Sequence, residues 1–250
     1  MPDFIPTARL AAVWVLFLAA GCDAQPPPGA GDLQQLRERM VRDQLAAPGR
    51  DITHKRVLDA MRTVPRHEFV PERLRSSAYA DTPLPIGHDQ TISQPFIVAF
   101  MTAALDPQPG ERILEIGTGS GYQAAVLAAL GAEVFTIEIV KPLGERAREA
   151  LRRLGHDRVK VRIGDGYAGW PEAAPFDKVI VTCAPTSVPQ PLIDQLKAGG
   201  RMIIPVGDGT SQQLHLLEKT ATGLRQTAVL PVRFVPMTGA AQKRTRDAGK

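Results

Sequence analysis

Three glycines at alternate positions, Gly117, Gly119 and Gly121, follow directly on the β-type residues Ile113, Leu114, Glu115 and Ile116. An Ala/Leu-rich segment of helical composition, residues 122–130, begins at once. No other stretch constrains the fold as strongly. Glycine admits positive φ and lets a ligand come close to the main chain. A helix opening at that point offers unpaired N–H groups and partial positive charge. A strand running through such a loop into a helix is the physical form of a nucleotide-handling site, with an ordinary strand–turn–helix as the plain alternative. The spacing differs from the dinucleotide fingerprint, which has two residues before its third glycine. Glu115, two residues before the first glycine, suits a ligand that presents an amino group.

From Glu111 onward, strand-like and helix-like segments alternate. Strands are expected over 112–116, 133–138, 159–163, 178–182 and 202–206. Helices are expected over 143–154 and 191–196, the second stopped by Gly199-Gly200. Residues 214–218 and 229–234 complete the sheet and include an antiparallel pair. This order gives an α/β fold, a doubly wound, mostly parallel sheet of Rossmann-like type. Two helices precede it, over 33–46 and 54–63, each with apolar residues at helical period. Thr53 or Asp51 is a candidate cap for the second. Residues 79–92 read as a long ordered loop, a length usually kept for function. Ser93-Gln94-Pro95 then opens a helix over 96–105. Ser93 has two readings there, helix N-cap or catalytic residue. His54 and His67 read as surface or packing residues.

The N-terminus does not belong to this pattern. Residues 10–20 form an apolar run too short to cross a bilayer and of the length of a signal core. Leu18-Ala19-Ala20-Gly21-Cys22 resembles a bacterial lipoprotein processing site, with a lipid anchor at Cys22. The expected organisation is a signal-like segment (1–22), a linker (23–32), a catalytic domain (33–238) and a basic tail (239–250). Translation beginning near Met40 is the alternative. The chain is expected to be periplasmic or membrane-anchored if the signal is genuine, and cytoplasmic otherwise. Net charge is +4, with Lys243, Arg244, Arg246 and Lys250 in the tail facing only Asp247. No basic run is interleaved with aromatics, so no nucleic-acid partner is implied. Cys22 and Cys183 are the two cysteines, too few for a disulfide framework, and no Cys/His spacing suits zinc. No metal is expected.

In doubly wound sheets, ligands bind beyond the carboxyl ends of the strands, at the switch point. Three acids fall at such ends. Glu115 borders the first strand. Glu138 closes the second, about 20 residues past the first glycine, where an acid can hold ribose hydroxyls. Asp165 follows the third, where its carboxylate or the N–H of Gly166 can read an adenine edge. Ribose alone does not separate NAD from S-adenosylmethionine, and glycine spacing does so only in part.

Several segments together resemble the protein-L-isoaspartate O-methyltransferase family. They are residues 81–87 (Asp-Thr-Pro-Leu-Pro-Ile-Gly), 90–95 (Gln-Thr-Ile-Ser-Gln-Pro), 114–125 around the glycines, 164–166 (Gly-Asp-Gly) and 233–236 (Arg-Phe-Val-Pro). The resemblance runs from about residue 36 to 237, and the segment holding Ser93 is its most specific part. It implies methyl transfer from S-adenosylmethionine to the α-carboxylate of L-isoaspartyl residues in damaged proteins, by a monomer. By resemblance Ser93 is the active-site residue, while Glu115, Gly117, Gly119, Gly121, Glu138, Asp165 and Gly166 bind cofactor. Thr91, Ile92, Val235 and Pro236 would line the peptide groove. His88-Asp89 and Cys183 depart from the family pattern, which has small residues near these places. Such a reaction asks for little acid–base work, since an α-carboxyl of reference pKa about 3.5 is already ionised. Alignment in a dry pocket is what remains, worth roughly 7–11 kcal/mol. A related carboxylate methyltransferase and a non-catalytic envelope lipoprotein that binds damaged peptides are the competing readings.

Overall fold

The computed structural model describes residues 29–50, 52–209 and 211–242. The readings made for residues 1–28 (export signal, Cys22 and most of the linker), for Asp51 and for residues 243–250 lie outside them. Helix begins earlier than expected. α1 (Ala30–Arg39) starts inside the stretch read as linker and passes into a π-helical turn over Met40–Leu45. Asp32 marks this start, because its carboxylate accepts the Gly29 N–H at 3.1 Å. Met40, Val41 and Leu45 are fully buried. α2 (Lys55–Thr63) buries Val57, Leu58, Ala60 and Met61. Its N-cap is His54, without a side-chain cap bond, so the cap expected from Thr53 does not form. His54 Nε2 instead meets Asp106 Oδ1 at 2.8 Å, and His67 Nδ1 meets the Tyr79 hydroxyl at 2.6 Å.

Residues 79–92 are not loop throughout. β1 (Leu84–Gly87) and β2 (Gln90–Ile92) pair antiparallel as a hairpin. Its tip is His88-Asp89, both with positive φ, 54° and 56°. Such two-residue turns match strand twist and usually carry Asn-Gly. Neither tip residue is glycine, which is why the sequence concealed the hairpin. Leu84, Ile86 and Ile92 anchor it to the core. α3 (Pro95–Leu105) follows.

The main sheet then forms from β3 (Arg112–Ile116), β4 (Glu133–Glu138), β5 (Lys160–Ile163), β6 (Phe176–Val181), β7 (Leu196–Gly207), β8 (Gln212–Thr220) and β9 (Gly223–Val232). Its spatial order is β5-β4-β3-β6-β7-β8-β9, the first five parallel and the last two antiparallel. α4 (Tyr122–Ala129), α5 (Lys141–Arg153) and α6 (Gln190–Asp194) connect the strands. Alternation decides which residue faces which layer. Ile113, Val134, Ile180 and Ile203 pack under α1–α5. Leu114, Phe135, Val179 and Met202 face the other way, under α6 and two short 3₁₀ turns. The chain reverses direction across the sheet between β3 and β6, so the switch point lies at the end of β3.

Two expectations are corrected here. Gly199-Gly200 does not stop a helix. It lies within β7, where Phe176 pairs Leu196 but Lys178 pairs Arg201, so the glycines absorb a bulge. The last strand begins at Gly223, not at residue 229, because its exposed Arg225, Gln226 and Thr227 give an edge strand no apolar alternation. Past Val232 the chain leaves the sheet edge and crosses to the strand ends. There the Ala184 N–H donates to Val235 O, and the Met237 N–H donates to Ala184 O, both at 2.8 Å.

Candidate active site

The loop after β3 is held by its glycines and by one acid. Gly117, Gly119 and Gly121 take φ of 95°, 53° and 89°, a region other residues rarely enter. A Cβ on Gly117 would lie 2.5 Å from Thr182 Oγ1. That hydroxyl, just past β6, donates to Gly117 O at 2.6 Å. Glu138, at the end of β4, accepts the Gly119 N–H at 2.7 Å and the Val140 N–H at 2.9 Å. The acid thus fixes the glycine loop as well as bordering the space before it.

That space is a cavity of about 870 Å³ including its open, solvent-filled mouth. Gly117, Gly119, Glu138 and Gly166 stand on its wall, as expected, and Ile139 adds an apolar edge. Ile139 is the one large hydrophobic residue found exposed among the described residues, at 41%. Thr91, Ile92 and Ser93 close the cavity from the hairpin side, and Val235 and Pro236 from the C-terminal side. A second groove of about 990 Å³ runs along Arg233 and Phe234, facing Pro83 and Ile97. The two spaces share Thr91, Ser93, Thr182 and Val235.

Ser93 is half-buried at that junction, and its hydroxyl has no hydrogen-bond partner among the described residues. The N-cap reading of Ser93 is corrected: the N-cap of α3 is Gln94, and the Phe96 N–H is taken by Asp81 Oδ1 at 2.9 Å.

Three residues expected to touch cofactor are not on the wall. Glu115 is fully buried beside Thr136, on the face of β3 that packs under α1–α5. Neither of its carboxylate oxygens has a hydrogen-bond partner among the described residues; the Thr136 hydroxyl lies 2.6 Å from that of Thr118 instead. Burial pushes the Glu115 pKa up to about 8, with the Thr136 hydroxyl opposing and the Glu138 charge adding. Gly121 serves packing, since a Cβ there would lie 3.3 Å from Ala147 Cβ on α5. Asp165 is exposed, and its carboxylate accepts the Tyr167 N–H at 2.9 Å and the Ala240 N–H at 2.7 Å. It fastens the C-terminal turn beside the cavity, while its neighbour Gly166 lines it.

Thr182, Ile139 and Arg233 were missed as site residues. Thr182 follows the fourth strand, so the strand-end rule that found the three acids also reaches it. Cys183, beside it on the wall, has its thiol pushed up to about 12 by burial and by the charges of Glu138 and Asp165. It is a neutral thiol at physiological pH and no nucleophile.

A nucleoside sulfonium fits these residues. Gly117 and Gly166 stand on the wall and must be glycine for packing, since a Cβ would lie 2.5 Å from Thr182 Oγ1 in the first case and from Ile116 Cγ2 in the second. The Glu138 carboxylate on the wall can accept from the hydroxyls of a ribose. Ile139 offers an apolar face to a base. Fold and cavity define the class, the Rossmann-like fold of S-adenosylmethionine-dependent methyltransferases. The model of the protein-L-isoaspartate(D-aspartate) O-methyltransferase family matches residues 37–242, and the chain belongs to that family. A protein-L-isoaspartate O-methyltransferase of Opitutus terrae is 58% identical over 203 residues, covering 81% of this chain and 86% of its own. A solved protein-L-isoaspartate O-methyltransferase superposes with TM-score 0.73 at 29% identity, over 86% of this chain and 69% of that one. A candidate enzyme of the same name from Plasmodium falciparum, solved with S-adenosyl-L-homocysteine, gives TM-score 0.71 at 26% identity, over 82% of this chain and 97% of its own.

Proposed function

We propose that this chain methylates the α-carboxylate of L-isoaspartyl residues in damaged proteins, with S-adenosylmethionine as donor, opening their repair. The observation that carries this reading is the meeting of two cavities at Ser93, one backed by the glycine loop and Glu138, the other running along Arg233 and Phe234. Bound S-adenosylmethionine supplies a methyl group on positively charged sulfur, already activated for transfer. Gly117, Gly119 and Gly166 would hold it by backbone and Glu138 by its carboxylate, while Glu115 stays buried off the wall. Gly121 and Asp165 act one step away, through packing and through the C-terminal turn.

The acceptor needs orientation more than activation. Its carboxylate is ionised at neutral pH, so no base is required. Ser93 donates its hydroxyl to one carboxylate oxygen and leaves the other facing the donor cavity. Ile92, Val235 and Pro236 exclude water, which otherwise solvates the attacking oxygen. Thr91 and Arg233 flank the peptide. Methylation of an isoaspartyl peptide, with none of its aspartyl twin, is the expected result; equal labelling of both refutes the reading. Ser93→Ala should lower kcat ten- to hundredfold, about 1.4–2.7 kcal/mol. It should leave stability within about 0.5 kcal/mol, because the hydroxyl bonds nothing in the protein.

The same reading takes residues 33–238 as a monomeric catalytic unit, tested by light scattering of the eluted protein. It also takes residues 1–22 as an export signal with lipid on Cys22, tested by intact mass of the mature protein. An unlipidated chain beginning at Met1 or Met40 refutes that part alone.

A further inference from the structure

We propose that Asp81 is a positioning residue that keeps the Ser93 hydroxyl free for the acceptor by capping α3 in its place; this rests on the role given to Ser93 above. The first turn of a helix leaves N–H groups without partners. In α3 the first residue is Pro95, which has no N–H, so Phe96 carries the first donor that needs an acceptor. A serine just ahead of such a helix is among the side chains best suited to accept it. Ser93 stands there and does not. Asp81, fifteen residues upstream in sequence, reaches in and accepts the Phe96 N–H at 2.9 Å.

Its second oxygen is equally committed. Asp81 Oδ2 accepts from Gln94 Nε2 at 2.8 Å and pairs with Arg50 at 3.0 Å. The Arg50 guanidinium in turn lies 4.8 Å over the Phe96 ring. The Asp81 side chain is only 11% exposed, so these bonds are shielded from water. A carboxylate is also the better cap, since charge-assisted bonds are stronger and an anion is favoured at a helix N-terminus. The arrangement holds two of the three residues that follow Ser93, Gln94 by its side chain and Phe96 by its backbone. It thereby sets the direction in which Ser93 leaves the helix start. Ser93 remains on the wall common to both cavities, with its hydroxyl uncommitted.

Loss of Asp81 leaves the Phe96 N–H unpaired, and the nearest hydroxyl in sequence that can take it is that of Ser93. The hydroxyl would then be drawn into the cap and away from the acceptor. A double-mutant cycle isolates this effect. Asp81→Ala in the otherwise native chain should cut kcat at least tenfold for an isoaspartyl peptide. In the Ser93→Ala background the same change should alter kcat by less than twofold. Affinity for S-adenosylhomocysteine, measured by calorimetry, should stay within twofold throughout and so reports an intact donor cavity. A purely structural role predicts an equal loss in both backgrounds, and that result, or no loss in either, overturns the proposal.

Should Asp81→Ala fail to fold, Asp81→Asn takes its place. Its amide oxygen can still accept from Phe96 but lacks the charge that holds Arg50. A two- to fivefold loss is expected in the native background and none with Ser93→Ala. A loss that persists in both backgrounds, or no loss at all, again overturns it. The underlying reading fails separately: Ser93→Ala with native kcat removes the role of Ser93 whatever the Asp81 variants show.

Discussion

Glu115 provides the sharpest test of the electrostatics at this site. Its carboxyl is wholly buried with no hydrogen bond to either oxygen, and its pKa is raised from 4.5 to about 8. A raised carboxyl pKa means that the folded chain holds this proton more tightly than the unfolded chain does. Stability is therefore full below the unfolded value, near pH 4.5, and falls as pH rises toward 8. The slope between those limits is about 1.4 kcal/mol per pH unit. Glu115→Gln replaces the acid with an isostere that cannot ionise, whatever fixed cost its amide adds. The stability of the variant minus that of the native chain should then rise by roughly 2–3 kcal/mol between pH 5 and pH 7. Urea unfolding at pH 5, 6 and 7 without ligand measures it, since groups not coupled to Glu115 cancel in the difference. With a urea slope of about 2 kcal/mol/M, the gap between midpoints should widen by more than 1 M. A gap that stays constant across the three pH values refutes the argument.

Gly117→Ala should be costlier than Gly119→Ala, although both positions have positive φ. At 117 the added Cβ meets Thr182 Oγ1 at 2.5 Å, whereas at 119 its nearest neighbour is Ile86 Cδ1 at 3.6 Å. Thermal unfolding should place the first at least about 1 kcal/mol below the second, and equal values would contradict the steric account. Replacing the hairpin tip with Asn-Gly, as His88→Asn with Asp89→Gly, should stabilise the chain by roughly 1 kcal/mol with kcat unchanged. A lower melting temperature would show that the tip is fixed by contacts other than its own backbone.

The parallel sheet was legible because its signals are local. Glycines at 117, 119 and 121 need positive φ and have it, and Glu138 closes its strand where expected. What the sequence concealed depends on contacts between distant residues. Asp81 looks like an ordinary polar loop residue until the fold brings it to the start of α3. Asp165 reads as a ligand until residue 240 returns to it. Glu115 sits at a strand end, yet side-chain alternation turns it into the core, on the face opposite that of Ile116, which lines the cavity. The hairpin and β9 were missed for another reason, since their turn and edge residues lack the composition on which pattern reading relies.

The two sides of the donor cavity are held with unequal strength, and that difference is measurable. One side is β3, flanked by parallel ladders from β4 and β6, with Leu114 fully buried. The other is the β1–β2 hairpin, whose ladder has three paired positions. An isolated two-stranded hairpin is marginal in water. This one is fastened by Leu84, Ile86 and Ile92 and by a bond from Arg146 to Ile86 O at 2.7 Å. Local opening draws on regions with few such ties. The hairpin amides should exchange with deuterium at least about 100-fold faster than those of Leu114 and Val179, a gap of ~2.7 kcal/mol. S-adenosylhomocysteine should narrow that gap, because Thr91 and Ile92 border the donor cavity. Hairpin amides as slow as those of β3 without ligand would mean that the cavity wall does not open ahead of the sheet. Peptide would then have to enter along the Arg233 groove alone.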